Sequence, residues 1–221
     1  VLGLVYEKIK EEFPKKRQPS ALQVSVRTEA GEAENIRGPS NRMQFLRDDE
    51  RALVQVAPDF LSVSHFKPYS KWELFKGMIE KAVTAYRHVN EPKAVRRLGL
   101  RYINQINIPE KQVEIEAYLT AVPKIPDPVP QTFAAWVQRV EIPFKEDSGL
   151  LVVQSGSIRD EGLEGVAFLL DLDFITQSAE FLALDSIVER IERAHFRVET
   201  AFEACITDKA RHLFEGGTTN A

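Results

Sequence analysis

The chain has 221 residues, of which 43% are apolar, and this is enough to build the core of one large domain or of two small ones. The formal net charge is −4, with 29 basic and 33 acidic residues mixed along the sequence, so nucleic acid binding would require a local basic patch. Cys205 is the single cysteine, which excludes an internal disulfide framework, and no apolar run approaches the about 20 residues that span a bilayer, so we expect a cytoplasmic protein without membrane contact.

The first half of the chain predicts a helix, an antiparallel meander of strands and a second helix. Apolar residues over 2–13 have helical spacing, and Pro14 ends that element. Short alternating runs predict strands at 22–27, 42–47, 52–56 and 60–66. A polar stretch over 27–41 interrupts these runs. An apolar stripe that starts at Trp72 and steps by three or four residues predicts a helix over 71–89.

The second half predicts a similar order of elements. A strand over 95–108 is followed by a short helix near 114–119 and by a stiff, proline-rich loop over 123–130. Three further strands are predicted at 133–144, 150–157 and 165–174. A long helix over 184–206 closes the pattern, because its apolar residues again form one stripe.

This order of elements predicts an α+β fold in which antiparallel sheets pack against long helices. We divide the chain into an N-terminal half over 1–92, a C-terminal half over 93–214 and a flexible tail over 215–221. The chain opens on Val1 rather than Met, which suggests a trimmed start. If a strand precedes it, each half follows a duplicated β-α-β(3–4)-α plan, as in TATA-binding-protein-like or helix-grip folds. Such a topology carries no function by itself.

The strand over 95–108 has two faces that differ in chemistry, because side chains alternate with a period of two. One face is apolar apart from an amide, and holds Leu98, Leu100, Tyr102, Asn104, Ile106 and Ile108. The other is mostly polar, and holds Arg97, Gly99, Arg101, Ile103, Gln105 and Asn107. We expect the Asn104 amide to be hydrogen-bonded, since an unsatisfied buried amide costs free energy.

Asp171 and Asp173 lie two residues apart on a predicted strand, so they share a face. Paired carboxylates can hold Mg²⁺ or divide acid and base roles. A simpler interpretation pairs them across the sheet with Arg97 or Arg101. A third places Arg101, Asn104, Asp171 and Asp173 around a small polar pocket between sheet and helices. In that pocket Arg97 and Arg101 are the candidates for binding an anion, because guanidinium binds carboxylate or phosphate with two parallel hydrogen bonds.

The remaining chemistry-bearing residues do not form a recognisable constellation. His65, His88 and His212 are scattered without zinc-ligand spacing. His195 and Cys205 lie on the predicted closing helix beside apolar residues, which favours roles in the core. No G-x-x-x-x-G-K-S/T, G-x-G-x-x-G or G-x-S-x-G motif occurs. The sequence therefore predicts no metal site and no cofactor.

Four motifs carry a resemblance to a known family. They are the strand Leu98-Gly99-Leu100-Arg101-Tyr102-Ile103-Asn104-x-Ile106-x-Ile108-Pro109, the helix start Tyr69-Ser70-x-Trp72-x-x-Phe75, the strand Leu170-Asp171-x-Asp173, and the helix over 195–202 followed by Phe214. On these motifs the chain resembles an uncharacterised, sporadically distributed bacterial family of about this size, whose usual N-terminal strand is absent here. The resemblance implies no activity residue by residue. The patchy distribution implies mobile or defence-related gene systems.

Because no catalytic constellation stands out, we expect a non-enzymatic binding or regulatory protein. Its expected target is a partner protein or a small anionic ligand, and its candidate ligand-binding residues are Arg97, Arg101, Asn104, Asp171 and Asp173. Two alternatives come from other functional classes. One is a metal-dependent phosphoesterase or nuclease that uses Asp171 and Asp173, and the other is a nucleic-acid-binding module that uses a curved sheet face.

Overall fold

The computed structural model describes residues 2–26, 33–39, 42–69, 71–132, 134–158 and 165–216. The chain divides into two compact units, Val1–Lys93 and Ala94–Ala221. Each unit contains a four-stranded antiparallel sheet and helices that follow or flank it. The fold class is therefore α+β with antiparallel sheets, as predicted. No helix in the described ranges is both long and apolar enough to cross a membrane.

The first unit is built around a short antiparallel meander. Its elements are α1 (Leu2–Ile9), β1 (Lys15–Arg17), β2 (Ser20–Val26), β3 (Ala33–Pro39), β4 (Met43–Leu46), β5 (Ala52–Ala57), β6 (Phe60–His65) and α2 (Trp72–Asn90). The main sheet has the order β1-β4-β5-β6, and β2 pairs with β3 as a separate two-stranded sheet. The helices bury one side of this sheet in an apolar core formed by Val5, Ile9, Phe13, Phe45, Ala52, Val54, Val56, Met78, Ala82, Ala85 and Tyr86.

The sequence predicted a polar interruption where the structure has β3. This strand pairs along its whole length with β2, from Ala33 opposite Val26 to Pro39 opposite Ser20. Its glycine, proline and charged residues are atypical of a strand, so the alternation that predicts the other strands is missing here. Antiparallel pairing uses the backbone, so a partner strand can hold a segment whose side chains give no alternation.

The second unit holds the longer strands. Its elements are β7 (Val95–Ile108), a 3₁₀ turn (Ile115–Ala117), β8 (Val137–Phe144), a 3₁₀ turn (Lys145–Asp147), β9 (Gly149–Ile158), β10 (Val166–Leu182), a 3₁₀ turn (Leu184–Ser186), α3 (Ile187–Cys205) and α4 (Asp208–Gly216). The sheet has the order β7-β10-β9-β8, so the first strand lies beside the last. In the first unit β1 lies beside β4, which is the next strand of that sheet in chain order. The two sheets therefore differ in strand order.

The helix α3 packs across β7 and β10 and covers one side of the sheet, which we call the helix face. The buried residues of β7 on this face are Leu98, Leu100, Ile106 and Ile108, as the period of two predicted. The matching residues of β10 are almost inaccessible, namely Phe168, Leu170, Leu172 and Phe174. We call the opposite side, which carries Arg97, Arg101, Asp171 and Asp173, the outer face.

The C-terminal end differs from the prediction of a single closing helix. α3 ends at Cys205, and a separate α4 begins at Asp208. Thr207 makes the break: its backbone N–H donates to the Tyr118 carbonyl at 3.1 Å, and its hydroxyl oxygen accepts the N–H of Ala210 at 3.3 Å, as an N-cap does. Residues 215 and 216 end α4, and the rest of the predicted tail, 217–221, lies outside the described residues.

Candidate functional site

Arg101 and the two aspartates meet on the outer face, where β7 and β10 run antiparallel. Asp173 lies directly opposite Arg101, and Asp171 lies opposite Ile103. Arg101 nevertheless bonds diagonally: its Nε donates to Asp171 Oδ1 at 2.8 Å, and its Nη2 donates to Asp171 Oδ2 at 2.5 Å. The Asp171 side chain is 8% exposed. The predicted ion pair across the sheet is therefore present, and it occupies both oxygens of Asp171.

Asp173 is left without a counter-ion of its own. None of the described residues forms an ion pair with it within 4.0 Å, and its side chain is half-buried. Burial raises the pKa of this carboxyl above its usual value of 3.8, and the charge of Asp171 raises it further. Arg97, Arg101 and Arg139 act in the opposite direction but do not overcome the burial. The outer face thus holds a carboxylate whose charge is poorly compensated.

Asn104 lies on the helix face, away from the other candidate residues. Its Nδ2 donates to the Leu170 carbonyl at 3.1 Å, so the expectation of a satisfied amide is confirmed. Arg101, Asp171 and Asp173 point to the other side of the same sheet. The structure therefore brings three of the four residues of the predicted polar pocket together, and it places them on the outer face rather than between sheet and helices.

The remaining candidate, Arg97, lines a groove of about 470 Å³ at one end of the outer face. The second cation in the groove is Lys145, from the turn that follows β8. Apolar walls come from Pro143, Leu150 and Ile175. No acidic side chain of the described residues lines the groove. The groove thus joins two positive charges to an apolar surface.

The turn Lys145–Asp147 is held in place by α3. Asp147 is buried, and its Oδ2 accepts a hydrogen bond from Arg197 Nε at 2.8 Å. Glu146 Oε1 accepts from Arg197 Nη2 at 3.1 Å. Because both acids of the turn pair with α3, Lys145 is the one charge of this turn that lines the groove.

The base of the groove is fixed by close aromatic packing. Gly149 lines the groove, and an ideal Cβ at this residue would lie 2.4 Å from Phe174 Cζ, so no larger residue fits without a shift. The rings of Phe144 and Phe174 pack edge to face with centroids 5.7 Å apart. The Arg197 guanidinium lies 4.6 Å from the centre of the Phe144 ring. The groove is therefore built on a closely packed part of the unit.

Cys205 lies in the core, as the sequence predicted, and His195 lies at its margin. His195 is half-buried, and its Nδ1 lies 3.4 Å from the Tyr102 hydroxyl. Cys205 is buried, and burial raises the pKa of its thiol, which disfavours the nucleophilic thiolate. Across the described ranges, no group of three or more His, Cys, Asp or Glu residues is arranged to hold a metal ion.

Lys145 is a site residue that the sequence did not predict. It lies in a Phe-Lys-Glu-Asp-Ser-Gly turn, whose mixed charges are typical of a solvated connection. The available signal was Arg197, which has no acidic residue three or four positions away on the predicted helix, so its charge calls for a partner from another element. In the structure Arg197 bonds Asp147, whereas Arg193 pairs with both Glu189 and Asp147.

Comparisons of the chain with protein-family models, with curated proteins and with solved structures find no match. These comparisons therefore assign neither a family nor an activity to the chain.

Proposed function

We propose that the protein is a binding module, and that the groove between Arg97 and Lys145 holds a small anionic ligand. The observation that supports the proposal is that two cations line the groove, whereas no acidic side chain of the described residues does. Neither cation has an ion-pair partner within 4.0 Å in the described part of the chain, so both charges are available to a ligand. Surface cations in this protein are otherwise often paired, as Lys10, Lys15 and Lys81 are.

The chemistry of the groove defines the class of ligand. The Arg97 guanidinium can bind two oxygens of one carboxylate or phosphate group, and the Lys145 ammonium adds a point charge. Leu150, Ile175 and Pro143 offer an apolar surface beside these charges. The volume of about 470 Å³ lies within the range of small-molecule sites. The fitting ligand is an organic carboxylate or phosphate with an apolar part.

Binding is a better-supported role than catalysis. A metal-dependent phosphoesterase built on Asp171 and Asp173 needs carboxylate oxygens that are free to bind the metal. Both oxygens of Asp171 are occupied by Arg101. Mg²⁺ would have to displace that guanidinium before the two aspartates could act together.

The proposed setting follows from composition and from the family resemblance. A single cysteine and the absence of a long apolar run in the sequence support a cytoplasmic location. The resemblance supports a bacterial protein within a mobile or defence-related gene system. In that setting the anion belongs either to a free small molecule or to an acidic group on a partner protein, and the two sources differ in mass.

Native mass spectrometry of the gently purified chain tests the proposal, together with a calorimetric titration with pyrophosphate as the probe. We expect a co-purified adduct or measurable pyrophosphate binding, and we expect the double variant Arg97→Ala, Lys145→Ala to lose it. Lys111→Ala is the matched control, because it removes an exposed cation beyond the opposite end of β7. An adduct of a few hundred daltons indicates a small molecule, and one of protein size indicates a partner.

Two outcomes contradict the proposal. One is a chain that carries no adduct and gives no heat with pyrophosphate. The other is binding that the double variant retains in full. If the chain instead binds a single-stranded oligonucleotide with an affinity that falls steeply with salt, the nucleic-acid-binding alternative is favoured.

A further inference from the structure

The strand β8 forms one edge of the second sheet and is unusually accessible. The order β7-β10-β9-β8 leaves its outer side without a paired strand among the described residues. Three of its apolar side chains are exposed: Val137 at 74%, Val140 at 41% and Ile142 at 40%. An accessible edge with apolar side chains is a template for pairing with another strand.

The backbone of β8 presents a defined set of free hydrogen-bonding groups. Trp136 lies opposite Ser157, one step beyond the pair of Val137 with Gly156, and its carbonyl accepts the Ser157 N–H at 3.0 Å. In an antiparallel pair the hydrogen-bonded positions alternate. The even-numbered residues of β8 therefore bond to β9. The odd-numbered residues, Val137, Arg139, Glu141 and Pro143, direct their backbone groups to the free edge.

Arg139 and Glu141 give this edge a self-complementary charge pattern. Both lie on the outer face, and the Arg139 Nε and Nη2 atoms donate to Glu141 Oε1 at 3.0 and 2.8 Å. Each side chain is about half exposed. A strand that carries a positive and a negative residue two positions apart matches an inverted copy of itself.

We propose that β8 is a homodimerisation edge, through which two copies of the chain pair antiparallel about a two-fold axis at Val140. In this register each Arg139 lies opposite Glu141 of the second copy. Both belong to the odd-numbered set, so each such pair can exchange two backbone hydrogen bonds. Val137 then donates to the Pro143 carbonyl of the second copy, and Pro143 ends the pairing because it has no N–H. The two four-stranded sheets become one continuous sheet.

Neighbouring registers are disfavoured by charge or by backbone geometry. Moving the axis by one residue places Arg139 opposite Arg139, or Glu141 opposite Glu141, and like charges directly opposite are destabilising. Moving it by half a residue pairs odd-numbered with even-numbered positions, and the even-numbered backbone groups already bond to β9. The Val140 register satisfies both conditions. It also brings the two exposed Val140 side chains together on the helix face.

Light-scattering mass across a dilution series tests this interface. We expect the mass of the wild-type chain to rise with concentration from 25.1 kDa toward twice that value. The variants Glu141→Arg and Arg139→Glu are each expected to stay monomeric, because each opposes like charges in its own dimer. An equimolar mixture of the two variants is expected to regain the dimer, since every opposed pair is then Arg with Glu. This recovery cannot come from the salt bridge within one strand, which both variants lack.

The control variant is Gln105→Arg, which adds a charge on the outer face at the other edge strand and should dimerise as the wild type does. Circular dichroism and thermal unfolding establish that each variant is folded. The proposal is overturned by a wild-type chain that remains at 25.1 kDa at every concentration. It is equally overturned by single variants that dimerise normally, or by a mixture that stays monomeric.

Discussion

Arg101 lies directly opposite Asp173 in the β7–β10 pair, yet it bonds Asp171, the diagonal neighbour. The bidentate geometry with Asp171 places the guanidinium over a carboxylate that is almost fully buried. Asp173 keeps a half-buried carboxylate without an ion pair among the described residues, next to the charge of Arg97. This division of roles between two aspartates of one strand determines how the outer face responds to substitution and to pH.

The first prediction concerns stability and pH in the variant Asp173→Asn. The pKa of Asp173 is raised on folding, so the native state binds its proton more tightly than the unfolded chain does. The contribution of Asp173 to the free energy of unfolding therefore falls as the pH rises from 3.8 to the raised pKa of the folded state. Above that pH the ionised carboxylate destabilises the folded state. Asparagine carries no such penalty.

Urea unfolding from pH 3 to pH 8 measures this effect as the difference between Asp173→Asn and the wild type. We expect the variant to be the more stable protein at pH 7, with a difference that shrinks as pH falls toward 3.8. A difference that is independent of pH would show that the carboxyl charge has no part in it.

The second prediction concerns ligand affinity in the same variant. Removing a negative charge near Arg97 strengthens the positive potential of the groove. If the substitution removes about 1 kcal/mol of repulsion between Asp173 and the bound anion, the anion binds roughly fivefold more tightly at low salt. Titration of Asp173→Asn with pyrophosphate measures the change, and raising the ionic strength should reduce it. Unchanged or weaker binding would place the anion away from Arg97.

The third prediction concerns the Arg101–Asp171 pair. Arg101→Gln leaves the Asp171 carboxylate, which is 8% exposed, without its counter-ion. Since Arg101 itself is half exposed and water can partly replace it, we expect a loss of about 1–3 kcal/mol in the free energy of unfolding. Lys10→Gln is the control, because its pair with Glu7 is exposed on both sides, and we expect no measurable change in the free energy of unfolding. Equal effects in the two variants would contradict this account.

The fourth prediction compares two glycine substitutions. Gly149→Ala forces a Cβ to within 2.4 Å of the buried Phe174 ring, so we expect a loss of about 1–3 kcal/mol and weaker anion binding in the groove. Gly77→Ala lies within α2, where nothing is within 4 Å of an ideal Cβ, so we expect a gain of about 0.5–1 kcal/mol. Thermal unfolding of both variants measures the contrast. A neutral Gly149→Ala would mean that the Phe144–Phe174 packing is loose.

The sequence by itself determined the two-faced character of β7 and β10. Side chains alternate along any strand, so the burial of Leu100 and the separation of Asn104 from Arg101 followed from counting by two. The predicted polar pocket that also included Asn104 conflicts with this rule, because Asn104 lies on the opposite face of the sheet from Asp171 and Asp173. Helical periodicity likewise located α2 and α3 to within a few residues. These features depend on local backbone geometry, which each stretch of sequence determines by itself.

Only the tertiary structure decided which residues act together. Arg101 bonds Asp171 rather than Asp173, and Lys145 lines the same groove as Arg97. Both arrangements bring together residues that are far apart in sequence. The same is true of β8 as a sheet edge, because β7 pairs with β10 rather than with the next strand along the chain. Strand order is set by the free energy of packing the whole unit, and no local pattern encodes it.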